Sequence, residues 1–190
     1  MQITKIQNRA DLKEYLKADK ARYGKRKPGF MGWVCGDEGY VVCRVLRMLR
    51  WLEYYTNKKK TIWDYIPYYL LFIVFRRERL RTGIQLNVNT IGKGINIPHF
   101  ARGIYANGKR MGDNCIIFSG VVLGEKGGRK NPGRPTIGNN VEICVGAKVI
   151  GGGNVGDNVI IAPSSVVISD IPDNAVVSGI PAMVIKIRGL

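Results

Sequence analysis

From Met111 onward, aliphatic residues return every six positions: Met111, Ile117 and Leu123, then Ile137, Ile143, Val149, Val155, Ile161 and Val167. Ile91 and Ile97 carry the same spacing earlier. A helix repeats near 3.6 residues and a flat strand near 2, so neither accommodates sixes. Short straight segments joined by tight corners do, when stacked as a parallel β-helix. The corners repeat too, as Gly112-Asp113-Asn114, Gly138-Asn139-Asn140 and Gly156-Asp157-Asn158. Gly, Asn and Asp tolerate left-handed backbone angles at low cost. The last two triplets lie 18 residues apart, one circuit of a three-sided prism; the first two lie 26 apart. The surplus predicts a Gly/Pro-rich, basic loop over residues 124–136, projecting from one edge, where function tends to sit.

The first 82 residues have no such rhythm. Asn8 is placed to cap a helix over 8–20, with Leu12, Tyr15, Leu16 and Asp19 following. A second helix is expected over about 40–55, with Val42, Leu46, Leu49 and Leu52 as its apolar stripe. A third runs to about Arg81, broken near Pro67. Two regions follow: a helical segment, 1–82, and a coil, 83–190.

Formal net charge is +16, and residues 1–81 carry +11 of it. Such an excess invites polyanions, or coats a solvated surface. Nucleic acid is disfavoured, because no recognised binding signature appears. The longest apolar run, Tyr68 to Phe75, is too short to cross a bilayer as a helix. Lys58, Lys59 and Lys60 precede it; Arg76, Arg77, Arg79 and Arg81 follow. Burial or a subunit contact is expected for it, with peripheral contact to an anionic membrane as the alternative. Cys35, Cys43, Cys115 and Cys144 lack CxxC spacing, which points to free thiols in a reducing compartment. The polar start shows no secretory leader and predicts a cytoplasmic location, or the inner membrane surface.

The chain has one histidine, His99, just past the sixfold position Ile97. One histidine cannot build a three-histidine zinc site, and the scattered cysteines offer no substitute, so no metal is expected. A lone imidazole suits a general base, taking a hydroxyl proton near neutral pH.

Four stretches carry a resemblance: Gly92 to His99, Ile116 to Gly124, Ile137 to Ile143, and Gly179-Ile180-Pro181-Ala182. They resemble the serine acetyltransferase-like branch of the hexapeptide-repeat acyltransferases. The resemblance implies a mainly β fold, a left-handed parallel β-helix behind an N-terminal helical segment. It implies a homotrimer, with a dimer of trimers as a further option. Acetyl-CoA, the co-substrate, would lie between neighbouring subunits, and His99 matches the family's first catalytic histidine. The helical front end looks like the versions encoded for polysaccharide biosynthesis.

Three positions depart from the serine enzymes. Pro98 stands where they have an Asp, Gln85 falls near another Asp, and Arg134 aligns with their second histidine. A free amino acid needs a charge partner for its ammonium as well as its carboxylate. The acceptor is therefore expected to be a neutral hydroxyl, on a sugar of a surface polysaccharide precursor. L-Serine is the alternative, and a non-catalytic β-helix binding protein is the rival of another class. Within the enzyme reading, Gln85, Asn107 and Arg134 would face the acceptor. Backbone N–H groups near Gly124 or Gly146 would stabilise the oxyanion. The CoA arm would pass Gly146, Ala147, Ala162 and Pro163, and Lys148, Lys186 and Arg188 would meet its phosphates.

Overall fold

The computed structural model describes residues 5–23, 34, 37–59, 61–98, 103–125 and 133–189. Among them, three α-helices lead: α1 (Arg9–Ala21), α2 (Glu38–Asn57) and α3 (Tyr65–Thr82), the last preceded by a 3-10 turn over Ile62–Asp64. Asn8 caps α1 as expected, its Oδ1 accepting from the N–H groups of Ala10 (2.8 Å) and Asp11 (3.0 Å). Val42, Leu46, Leu49 and Leu52 are all buried on α2. Pro67 does not break α3. It sits in the first turn, where a missing N–H costs no intrahelical bond. Gly83 closes α3 in the left-handed conformation (φ 68°), its N–H donating to Arg79 O at 3.0 Å.

From Ile84 the chain visits three parallel sheets in turn. Sheet A aligns β1 (Ile84–Leu86), β2 (Ile104–Ala106), β5 (Val122–Gly124), β8 (Lys148–Ile150) and β11 (Val166–Val167). Sheet B holds β3 (Arg110–Met111), β6 (Thr136–Ile137) and β9 (Asn154–Val155). Sheet C holds β4 (Ile116–Ile117), β7 (Glu142–Ile143), β10 (Ile160–Ile161), β12 (Ala175–Gly179) and β13 (Ala182–Ile187). Among the described strands only β13 runs antiparallel, folding back on β12. The result is a three-sided coil of parallel strands.

The sixfold residues point inward and stack by circuit. Ile91, Met111, Ile137, Val155 and Ile171 form one buried column, and Ile97, Ile117, Ile143, Ile161 and Val177 another. Each such side chain stabilises the coil by about 1.5–3 kcal/mol. Two further buried columns escaped the sixfold reading: Ile95, Cys115, Val141, Val159, Ala175, and Ile84, Ile104, Val121, Ala147, Ser165. They lie two residues before the sixfold positions, at a corner or, for Ile84, Ile104 and Ala175, at the first residue of a strand.

The corner between sheets B and C is a ladder of short polar side chains. Oδ1 of Asp113, Asn139, Asp157 and Asp173 accepts in turn from the N–H of Lys93, Asp113, Asn139 and Asp157, at 2.7–3.0 Å. Asn114, Asn140, Asn158 and Asn174 follow with φ between 54 and 60°. The glycine before each step is forced by contact with the next coil. A Cβ on Gly138 would lie 2.5 Å from Gly156 O and 2.6 Å from its carbonyl carbon. Gly138→Ala is therefore expected to cost about 3 kcal/mol, at the top of the overpacking range. Thermal unfolding should show a fall of roughly 6–12 °C for a chain this size; an unchanged midpoint would contradict the packing.

The helical part docks through a buried ionic knot. Arg50 of α2 is 0% exposed. Its Nε donates to Asp19 (2.8 Å), and its terminal nitrogens donate to Glu53 (3.0 Å), Ile91 O (2.9 Å) and Gly92 O (2.6 Å). Asp19 in turn accepts from the N–H groups of Gly94 (2.7 Å) and Ile95 (3.2 Å), and Glu53 from that of Asn89 (2.9 Å). These backbone groups belong to the first circuit, which has no preceding circuit to bond them. The helices supply what a further turn would have supplied.

The run Tyr68–Phe75 is not buried as a whole. Phe75 is buried, whereas Tyr69, Leu70, Phe72, Ile73 and Val74 are exposed. The reason is geometric: a helix that is apolar on all sides turns only one face to its own core.

Candidate functional site

Alternation along each strand sends every second residue outward. Register then stacks Gln85, Tyr105, Val122, Lys148 and Val166 into one outer column of sheet A. Beside it run Asn87, Asn107, Gly124 and Ile150. Asn87 Nδ2 donates to Asn107 Oδ1 at 2.8 Å, and Asn107 Nδ2 to the Tyr105 hydroxyl at 3.3 Å. The upper face of sheet A is thus neutral and polar. Gln85 also lines a groove against α3, with Leu52, Phe72, Phe75, Arg79 and Val88. Burial there lowers the Arg79 guanidinium below its ordinary value.

The edge joining sheet C to sheet A carries the second half of the candidate site. Corners repeat here at Ser119-Gly120, Val145-Gly146 and Pro163-Ser164, with positive φ at Gly120, Gly146 and Ser164. The first such corner is longer. Asn96 pairs with Ile116, and Tyr105 with Val122. Ile97 to Ile104 therefore spans seven positions where the matching Ile117 to Val121 spans four. His99 falls within this stretch, between Pro98 and Gly103, and lies outside the described residues. Its approach is held firmly. The Tyr23 hydroxyl accepts from the Ile97 N–H at 3.2 Å, and burial pushes the Tyr23 phenol well above its usual pKa. Tyr23 escaped the sequence reading, since nothing local marks a contact 74 residues away.

Several expected site residues gather at this edge. Ala162 is half-buried and Pro163 exposed. Lys148 is exposed on the adjoining strand, its Nζ donating to Gly146 O at 3.2 Å. Others do not fit their expected roles. Ala147 is 0% exposed, because it occupies the inward corner column; Val145 is the exposed residue of that corner. The Gly146 N–H donates to Ser119 O at 2.8 Å, so it is committed to the coil rather than open to an oxyanion. Gly124 is buried and pairs with Ile150.

Lys186 and Arg188 lie elsewhere. The antiparallel β13 sets Lys186 against Val176, at the sheet B end of sheet C. The Arg188 side chain donates to Asn158 O at that same far corner. A strand's length, roughly 10 Å, separates them from Pro163 within one protomer. Arg134 also stands apart, at the sheet A to sheet B edge. Its Nε is 3.8 Å from Glu125, an exposed pair; of the projecting loop expected over 124–136, residues 126–132 lie outside the described residues.

The described cysteines offer no activated nucleophile. Burial pushes the Cys43 thiol up to about 11 and Cys115 up to about 12, and it raises Cys144 with help from Glu142. A thiol held protonated is inert. Among the described residues no group of three or more His, Cys, Asp or Glu side chains could hold a metal.

This coil, with its helical cap, has clear counterparts. The chain is 39% identical over 114 residues to a serine acetyltransferase of Synechococcus elongatus, a match covering 60% of this chain and 47% of that protein. It is 35% identical over 138 residues to a serine acetyltransferase of Staphylococcus xylosus, covering 72% of this chain and 60% of the relative. The chain thus spans about half to three-fifths of the relatives it matches. Soybean serine acetyltransferase shares its fold, with TM-score 0.69 at 23% identity over 92% of this chain and 69% of that one. A Brucella abortus serine acetyltransferase in complex with coenzyme A gives TM-score 0.68 at 26% identity, covering 95% and 70%. No family model matches the chain.

Proposed function

We propose that this protein is an acetyl-CoA-dependent O-acetyltransferase of the hexapeptide-repeat type, a left-handed coil acting as a homotrimer. One observation carries the reading: the chain's only histidine lies in sequence between Ile97 and Ile104, where the first circuit has three residues more than the matching stretch from Ile117 to Val121. His99 removes the acceptor's hydroxyl proton as that oxygen attacks the acetyl carbonyl of the thioester. The tetrahedral adduct collapses, the carbon–sulfur bond breaks, and His99 returns the proton to the leaving sulfur. Transfer is direct, in keeping with the protonated thiols of Cys43, Cys115 and Cys144. Asn107 and Arg134 stand at the sheet A to sheet B edge, whereas Ile97 and Pro98, which lead to His99, approach the edge between sheets C and A. In a trimer, a second protomer laid against that face would bring the two edges together. It would likewise let the far-corner cations Lys186 and Arg188 serve a CoA held between subunits.

L-Serine is the acceptor that the relatives' names support, in preference to a sugar of a polysaccharide precursor. The neutral outer column Gln85, Asn87, Tyr105 and Asn107 favours a second reading, an uncharged hydroxyl acceptor. Release of CoA with L-serine, compared with a panel of neutral sugars, decides between them. Turnover with L-serine alone supports the first reading and turnover with sugars alone the second. A folded protein that fails to bind CoA at all would leave a non-catalytic coil.

A further inference from the structure

Helix α3 has two apolar faces. One, with Tyr68, Leu71 and Phe75, packs toward the core. The other lies about 180° away and carries Ile66, Tyr69, Leu70, Ile73 and Leu80, at i, i+3, i+4, i+7 spacing and beyond. All five are exposed, Ile66 at 61%, Leu70 at 62% and Leu80 at 76%. The preceding turn adds Ile62 and Trp63, at 79% and 78%. A contiguous outward patch of this kind marks a surface that something covers.

Charge decides what covers it. Arg76 and Arg77 are exposed between Ile73 and Leu80, with Arg76 and Leu80 also rimming the groove toward Gln85, and exposed Lys59 stands at the approach. The nearby acids are already engaged. Asp64 binds Lys58 at 2.6 Å, and Glu78 sits on the packed side, binding Arg44 (3.2 Å) and Arg81 (2.8 Å). A second copy laid on this face would enclose Arg76 and Arg77, and the same face of its own α3 offers no unengaged carboxylate to pair with them. An anionic headgroup layer would neutralise them while the apolar side chains entered the acyl boundary. Tryptophan and tyrosine favour that boundary. No described helix is long and apolar enough to cross a membrane, so the helix would lie along one.

We propose that the outward face of α3 seats this protein on an anionic lipid surface. The test is co-sedimentation of the full chain with vesicles of phosphatidylcholine, with and without phosphatidylglycerol. Binding should require phosphatidylglycerol and weaken with salt. Arg76→Glu with Arg77→Glu should weaken it by roughly 25-fold or more, taking about fivefold per basic residue near the surface. Ile66→Asp with Ile73→Asp should abolish it, while circular dichroism and thermal unfolding stay unchanged, since these side chains leave the core untouched. Folded protein that ignores anionic vesicles would overturn the proposal, as would binding that neither double variant affects. So would a drop in molecular mass on Ile66→Asp with Ile73→Asp without vesicle binding by the parent protein, because the face would then join two copies.

Discussion

Arg50→Ala is expected to lower folding stability by roughly 3–5 kcal/mol, the range for breaking a buried ion pair from one side. The substitution strands the Asp19 and Glu53 carboxylates and leaves the Ile91 and Gly92 carbonyls without the guanidinium that now reaches them. Burial works against the Arg50 charge, yet Glu53 and Asp19 outweigh it and raise its pKa above the ordinary guanidinium value. Burial also raises Glu53, against the pull of Arg50. A carboxyl raised in the folded state contributes stability below its unfolded value, about 4.3, and loses it as pH climbs through the folded value. Without Arg50 that rise is larger, so the deficit should be greatest near neutral pH and shrink on acidification. Arg50→Lys should rescue little, because one ammonium cannot span four acceptors on three segments. Chemical denaturation at two pH values reads all of this. A variant as stable as the parent at neutral pH would show that the knot is ornamental.

His99→Ala is expected to lower turnover by about 10²–10⁴-fold, the usual contribution of a positioned base. CoA affinity and the thermal midpoint should stay close to the parent's, separating lost proton transfer from lost folding. Tyr23→Phe should act more weakly and through the same corner, since it removes only the oxygen that accepts from the Ile97 N–H. Near-full turnover by His99→Ala would remove the imidazole from the reaction.

Much of the scaffold was legible because its period is local. An inward position every six residues, and a Gly-Asx-Asn step at one corner, are visible without knowing what touches what. The N-cap at Asn8 and the stop at Gly83 are local for the same reason. The candidate site was less legible. Small residues at corners read alike in sequence, whether they face solvent, as Pro163 does, or the core, as Ala147 does. A terminal hairpin can also reverse a strand, and here it carries Lys186 and Arg188 away from the corner they were expected to serve.

The sixfold spacing of the aliphatic residues, with a Gly-Asx-Asn step recurring between them, by itself pointed to a coil of parallel strands, since a helix repeats its apolar face near 3.6 and a half-buried flat strand at every second residue. Tertiary structure alone decided how that coil ends and what remains uncovered. The first circuit has backbone groups with no neighbour to bond, and Arg50, Asp19 and Glu53, brought together from two helices, satisfy them. Those same helices had only one side of α3 to hide. The outer apolar row therefore stays in the open, a consequence of three-dimensional arrangement that no periodicity announces.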